Sequence, residues 1–238
     1  MAKIIVCHSR KGGVGKTTMA YELAYELDAV LVDLEYDGGG ATGKWGDRPL
    51  DRARIPILDA IRTGKTPKPL NGFKKPRLVP GHPDLYDQAP SEDAMADALV
   101  QWAGEWDTEW VVVDTHPGAT TQAHGALSVA NVVLAPTPLR KLDLDATEQL
   151  VDELADYPLV ISPTMVPAAP PGTMIDRLAR MIDGTPVQVA PPVPHAARVG
   201  TRTKRIAITA EEPPAKPLRA FAAAITDTAK FLQEYVND

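Results

Sequence analysis

The stretch Arg10-Lys11-Gly12-Gly13-Val14-Gly15-Lys16-Thr17-Thr18 constrains this chain more than any other. It follows an apolar run, Ile4-Ile5-Val6-Cys7, that reads as a buried strand, and it precedes residues 19–27, which read as a helix. Strand, glycine-rich loop, Lys-Thr and helix together form the context that a phosphate-binding loop requires. The glycines let backbone N–H groups turn inward around a polyphosphate without Cβ clashes. The helix N-terminus adds free N–H groups and partial positive charge. In such a loop Gly12, Gly13, Val14, Gly15, Lys16, Thr17 and Thr18 form the cradle. Lys16 reaches the β- and γ-phosphates, and the Thr17 hydroxyl ligates Mg²⁺. The match to G-x-x-x-x-G-K-[ST] is loose, and a second lysine, Lys11, stands near the start of the loop.

Apolar runs alternate with helical patterns beyond this loop. Strands are predicted at residues 3–7, 30–34, 78–80, 110–114, 132–136, 159–162 and 187–190. Most are continuous in hydrophobicity, as strands buried on both faces should be. Helices are predicted at 91–106, with Ser91 as N-cap, and at 145–154, 174–182 and 217–235. This alternation predicts an α/β fold: a doubly wound, mainly parallel sheet with helices on both faces, holding ligands at the carboxyl ends of its strands. With 238 residues and no internal repeat, residues 1–238 read as a single phosphate-binding-loop domain with one core.

Two further strands end in acids. Residues 31–35 read Leu-Val-Asp-Leu-Glu, which places Asp33 and Glu35 at a strand end where they can flank a metal–phosphate site. Val111-Val112-Val113-Asp114 is an apolar strand ending in an acid, and Asp114 is the expected Mg²⁺ holder with Thr17. His116, two residues on, reads as an exposed turn residue, with a titrating role near the γ-phosphate as the alternative.

The string Lys-Gly-Gly-Val-Gly-Lys-Thr-Thr resembles the deviant Walker A motif of the ParA/MinD family of P-loop ATPases. That resemblance implies ATP and Mg²⁺ as cofactors and an ATP-dependent sandwich homodimer. In it Lys11 would reach the nucleotide held by the partner subunit. The segment from Asp33 resembles the family's Walker A′ motif, Asp-x-Asp-Pro-Gln, whose second acid orients the attacking water. Here that acid is Glu35, and Tyr36-Asp37 replace Pro-Gln. Residues 114–118 resemble the family's Asp-x-Pro-Pro turn, with His116 in place of the first proline. The resemblance therefore names Lys11, Lys16, Glu35 and Asp33 as catalytic candidates. The segment 189–194 resembles the part of the family that surrounds adenine, which implies Pro192 and Pro194 as nucleotide contacts. Residues 135–145 resemble the strand-to-helix segment beside the dimer face.

The net charge of −6 argues weakly against a chain coated in nucleic acid, but the charge is uneven. Residues 62–77 hold Arg62, Lys65, Lys68, Lys74, Lys75 and Arg77 with no acid among them. Residues 195–205 hold Arg198, Arg202, Lys204 and Arg205, again with no acid. Local basic clusters suit DNA, where local phosphate neutralisation counts. Arg198, Arg202, Lys204 and Arg205 are the DNA-binding candidates.

Among family branches, a small ParA-type partition protein fits best. It would segregate a plasmid or chromosome, bind DNA without sequence preference, and hydrolyse ATP slowly until a ParB-like centromere-binding protein stimulates it. The chain begins at its first strand, so no N-terminal DNA-binding domain and no signal peptide are expected. The alternatives are a MinD-like membrane-cycling ATPase or a cargo-positioning ATPase. The last helix carries acids as well as bases and reads as a docking helix, so no membrane is expected. The expected location is cytoplasmic and nucleoid-associated. Cys7 is the only cysteine, which argues against the iron–sulfur relatives of the loop, since these use paired cysteines.

Overall fold

A computed structural model describes residues 1–38, 40–48 and 55–237. Among them, β1 (Lys3–Cys7), β2 (Val30–Asp33), β3 (Arg77–Val79), β4 (Trp110–Asp114), β5 (Val132–Pro138), β6 (Leu159–Thr164) and β7 (Gln188–Val189) form one seven-stranded sheet. Its order is β3-β2-β4-β1-β5-β6-β7, and all its pairings are parallel. Around it lie α1 (Lys16–Glu26), α2 (Ala41–Trp45), α3 (Pro56–Thr63), α4 (Glu92–Glu105), α5 (Thr121–Ser128), α6 (Lys141–Glu153), α7 (Gly172–Ile182), α8 (Ala197–Gly200) and α9 (Arg219–Asn237).

Alternate strand residues divide between two cores, because successive side chains of a strand point to opposite faces. Ile4, Val6, Val32, Val111 and Val113 pack with Met95, Leu99 and Trp102 of α4 and with Leu144 and Leu150 of α6. Ile5, Cys7, Leu31, Val112 and Leu134 pack on the other face with Met19 and Leu23 of α1 and with Phe221, Ile225 and Leu232 of α9. Cys7 is fully buried, and burial pushes its thiol far above the ordinary range. The last helix is thus a docking helix whose apolar side is spent on the body. No described helix is long and apolar enough to cross a membrane.

The predicted elements recur with shifted ends. Ser91 caps α4 through a hydrogen bond from the Ala94 N–H, 3.2 Å long. Strands β5 and β6 each run two residues past the sequence expectation, through prolines. Proline lacks the N–H that a central strand donates, so it fits only where one edge is free. Pairing of β5 with β1 stops at Leu134, so Pro136 and Pro138 lie beyond the point where that neighbour leaves, whereas Pro163 still offers its carbonyl, which accepts from the Val193 N–H at 2.8 Å. Helix α6 begins at Lys141, earlier than its apolar periodicity shows, with Asp143 in its first turn complementing the helix N-terminus. Helices α2, α3, α5 and α8 have no counterpart in the sequence reading. They span between four and eight residues, too few to establish a period.

Strand order places the site. From β1 the chain crosses by α1 over one face to β2, and from β4 it crosses by α5 over the other face to β5. The loops after the neighbouring strands β1 and β4 therefore diverge, and open a crevice at the carboxyl edge of the sheet.

Candidate functional site

The glycine loop enters this crevice from β1. Gly13 and Gly15 have φ of 76° and 96°, the left-handed region that residues with a Cβ seldom adopt. Gly15 is the N-cap of α1 and supplies no side chain to it, so the first N–H groups of the helix keep their capacity for an anion. The Thr164 hydroxyl, at the end of β6, donates to the Val14 carbonyl over 2.8 Å and fixes the outer rim of the loop.

The Lys16 ammonium is the hub. It donates to Glu35 Oε1 at 2.9 Å, to Asp114 Oδ1 at 2.8 Å and to the Thr115 carbonyl. Its side chain is only 5% exposed. Burial alone would lower its pKa, but Asp114 and Glu35 outweigh burial and hold it above the ordinary lysine value. Burial pushes Asp114 up, with Lys16 opposing. The loop is braced from below by His8, whose Nδ1 meets the Thr115 hydroxyl at 2.9 Å, while that hydroxyl donates to the Cys7 carbonyl. Burial first, then the Lys16 charge, lowers His8 to about 4, so it is neutral at pH 7.

The two acids at the end of β2 have separate surroundings. Asp33 is 1% exposed, and its carboxylate accepts from the Thr42 N–H and hydroxyl, each at 2.6 Å, and from the Glu35 N–H at 3.1 Å. Burial, then the Asp114 charge, pushes it up to about 7 against those hydrogen bonds. Its oxygens are committed to holding α2. Glu35 instead turns into the crevice, with Lys16 on one oxygen and His116 Nδ1 at 2.8 Å on the other. The reading of His116 as an exposed turn residue needs correction. Its side chain is 18% exposed and stacks on Tyr36, ring centroids 4.1 Å apart. No local sequence signal announces this, since the contact joins the ends of β2 and β4.

Among the described residues the buried Asp114 Oδ2 has no hydrogen-bond partner, and the Thr17 hydroxyl lies beside this carboxylate. A bare carboxylate oxygen next to a hydroxyl is a hard-oxygen pair of the kind Mg²⁺ takes, so these residues fit that ion. A cavity of about 250 Å³ adjoins the loop, lined among others by Gly15, Thr18, Met165, Pro194, His195 and Phe221. Of the two prolines expected there, Pro194 lines it and Pro192 is exposed outside it. Lys11 lies on the outer side of the loop, paired with Asp143 at 2.8 Å, and Arg140 holds the same carboxylate at 2.6 Å.

The basic segments, more than a hundred residues apart in sequence, are neighbours. The Ala207 N–H donates to the Lys74 carbonyl at 2.8 Å, and burial followed by the Arg205 charge lowers Lys75. The 195–205 segment contains no acid, but the fold supplies one. Glu211 pairs with Arg202 at 3.0 Å and with Lys204 at 2.9 Å. Arg202 is 9% exposed and held by the Lys204 and Ile206 carbonyls, so its guanidinium is structural. Lys75 and Arg77 are likewise held by the Trp45 carbonyl and the Asp28 carbonyl, while Arg62 is exposed and pairs, among the described residues, only with Asp59 on its own helix. Arg198, Lys65, Lys68 and Lys204 remain exposed, and Phe73 stands 81% exposed beside Lys74.

No protein-family model matches the chain. It is 29% identical over 168 residues to the chromosome partitioning protein ParA of Myxococcus xanthus, a match covering 63% of this chain and 57% of that protein. It is 27% identical over 185 residues to the chromosome-partitioning ATPase Soj of Thermus thermophilus, covering 76% of this chain and 70% of that one. Among solved structures, cobyrinic acid a,c-diamide synthase from Mycobacterium smegmatis with bound ADP and magnesium superposes with a TM-score of 0.75 at 21% identity, covering 100% of this chain and 96% of that one. The cell division protein MinD of Aquifex aeolicus gives a TM-score of 0.74 at 19% identity, covering 98% and 97%. At such identities the superpositions establish the fold.

Proposed function

We propose, from its similarity to the partitioning proteins ParA and Soj and from the geometry of its glycine loop, that the chain is an ATPase of the ParA/MinD family and of the ParA type, which partitions a plasmid or chromosome. The observation that carries this reading is the convergence of Glu35, Asp114 and the Thr115 carbonyl on one buried ammonium, Lys16, at the foot of a glycine loop. On ATP binding, Lys16 exchanges its carboxylates for the β- and γ-phosphates. Thr17 and Asp114 would hold Mg²⁺, which when bound neutralises phosphate charge. The cavity with Pro194 and His195 at its wall takes the adenine. Glu35, released by Lys16, faces the γ-phosphate and orients the attacking water, while Asp33 keeps α2 and the Glu35 backbone in place.

In this reading Lys11 leaves Asp143 and reaches the nucleotide of a second copy, which closes a sandwich homodimer. Dimerisation doubles the basic contacts on one face, so sequence-independent DNA binding follows ATP binding. The basic surface where Lys74 meets the 195–205 segment is the proposed contact, through Arg198, Lys204 and Arg205 with Lys74, and the exposed Lys65 and Lys68 are a second candidate. A ParB-like partner accelerates an otherwise slow hydrolysis and releases the dimer. The chain acts as one ATPase domain on the nucleoid, in the cytoplasm.

The test is ATP turnover and sedimentation of the full chain with non-specific DNA and with anionic liposomes. The reading expects ATP-dependent cosedimentation with DNA and turnover that rises with DNA present. ATP-dependent capture by liposomes and not by DNA would replace it with the MinD-like alternative, and absence of turnover under every condition would remove the enzyme.

A further inference from the structure

The residues at which the two acid-bearing loops depart from the family pattern touch one another. Glu35 Oε2 accepts from His116 Nδ1 at 2.8 Å, the His116 ring stacks on Tyr36 at an interplanar angle of 20°, and Asp37 Oδ2 lies 3.8 Å from the same Nδ1. Tyr36 is backed in turn by Tyr86, ring centroids 5.3 Å apart. A carboxylate only accepts, so the imidazole N–H is the donor.

We propose that His116 is the positioning residue that holds Glu35 in its working orientation once nucleotide is bound, an inference that rests on the hydrolytic role given to Glu35 above. Lys16 holds Oε1 of Glu35. The same ammonium is the group that must turn to the phosphates, so nucleotide binding removes that contact. A glutamate freed in this way has three side-chain torsions to explore, and a misplaced catalytic group costs about a hundredfold in rate per ångström. His116 binds the opposite oxygen and is not asked to move. Its ring is fixed by the Tyr36 stack rather than by the lysine. With Oε2 held, Oε1 becomes the free acceptor on the phosphate side, which is the oxygen that takes a hydrogen bond from the attacking water. The longer side chain at position 35 and the imidazole at position 116 are thus one unit, in which each compensates the freedom or reach of the other.

The experiment measures single-turnover hydrolysis of Mg·ATP and nucleotide affinity on the full chain. His116→Ala is expected to lower the hydrolysis rate about 10- to 100-fold and to change the ATP Kd by less than about threefold. His116→Asn, which keeps an N–H donor at the place of Nδ1, is expected to recover most of the rate and also answers whether loss of fold explains the alanine variant. In a Glu35→Ala background His116→Ala should change the rate no further, because there is nothing left to position. In nucleotide-free protein the His116 Nδ1 should resonate as a protonated nitrogen, and should shift toward the tautomer average in Glu35→Ala. A wild-type rate in His116→Ala, or an equal rate loss in the Glu35→Ala background, overturns the positioning role and leaves the ATPase reading standing. A wild type that binds Mg·ATP and never hydrolyses it overturns both.

Discussion

Replacing Lys16 by alanine tests the structure twice, once without nucleotide and once with it. Without nucleotide, Lys16 is the cation that compensates Asp114, which is fully buried, and Glu35, which is 11% exposed. Removing one partner of a buried ion pair costs about 3–5 kcal/mol, because the other charge is left in a poor solvent. Protonation sets a ceiling on that cost. Neutralising an ordinary aspartic acid at pH 7 costs about 4 kcal/mol, from roughly three pH units at 1.36 kcal/mol each. Lys16→Ala should therefore lower the stability of the nucleotide-free protein by about 2–4 kcal/mol, or roughly 5–15 °C in Tm for a chain of this size. The deficit should depend on pH with a definite sign. In the variant the folded-state pKa of Asp114, already raised by burial, loses the opposing lysine and rises further. A raised carboxylate pKa contributes stability below its unfolded value and loses it as pH climbs, so the gap between variant and wild type should close from pH 7 toward pH 4. Nucleotide affinity should fall about 10- to 100-fold, the equivalent of one charge-assisted phosphate contact at about 1.5–3 kcal/mol. Differential scanning calorimetry across pH, paired with nucleotide titration, measures both. A Lys16→Ala protein as stable as wild type at pH 7 would refute the buried ion cluster, whatever happened to ATP binding.

Lys11→Ala removes an exposed side chain from Asp143 and nothing from the phosphate cradle, so ATP affinity should persist while the ATP-dependent dimer disappears in light scattering; a dimer of unchanged stability would end the role assigned to it. Glu35→Ala should bind ATP and dimerise but hydrolyse at least about a hundredfold more slowly in single turnover, and near-normal turnover would pass the water to another group. Glu35→Asp shortens the side chain by about 1.5 Å and cannot keep both the 2.8 Å contact to His116 and the 2.9 Å contact to Lys16, so its rate should fall as well. Reversing Lys68, Lys74, Arg198 and Arg205 to glutamate should abolish ATP-dependent DNA binding, while Arg202→Ala should lower Tm, because that guanidinium is enclosed by Glu211 and two backbone carbonyls. In the unsubstituted protein the logarithm of affinity should fall with the logarithm of salt, at about −0.9 per phosphate neutralised, and a flat salt dependence would count against a DNA surface.

The loop from Gly12 to Thr18, the buried strands and the acid at the end of β4 were legible in the chain because each depends on neighbours in sequence. Glycine at positive φ, lysine followed by threonine at a helix start and a valine run ending in aspartate are all local, and their chemistry follows from composition at fixed spacing. Such patterns also pointed to a parallel sheet, since residues 110–113 are apolar on both faces. Tertiary structure decided which acid faces the crevice. Asp33 and Glu35 look equivalent along the strand, and only the placement of Thr42 nine residues on commits Asp33 to α2 and leaves Glu35 free. The partner of Glu35, His116, comes from 81 residues away through the pairing of β2 with β4. The charge on the basic surface was likewise fixed from a distance. The 195–205 segment carries no acid of its own, but the chain returns Glu211 to it and joins it to Lys74. Local sequence determines what a residue is able to do and which regular element carries it; the contacts that select one of several such residues are made across the fold, where loop closure rather than spacing sets who meets whom.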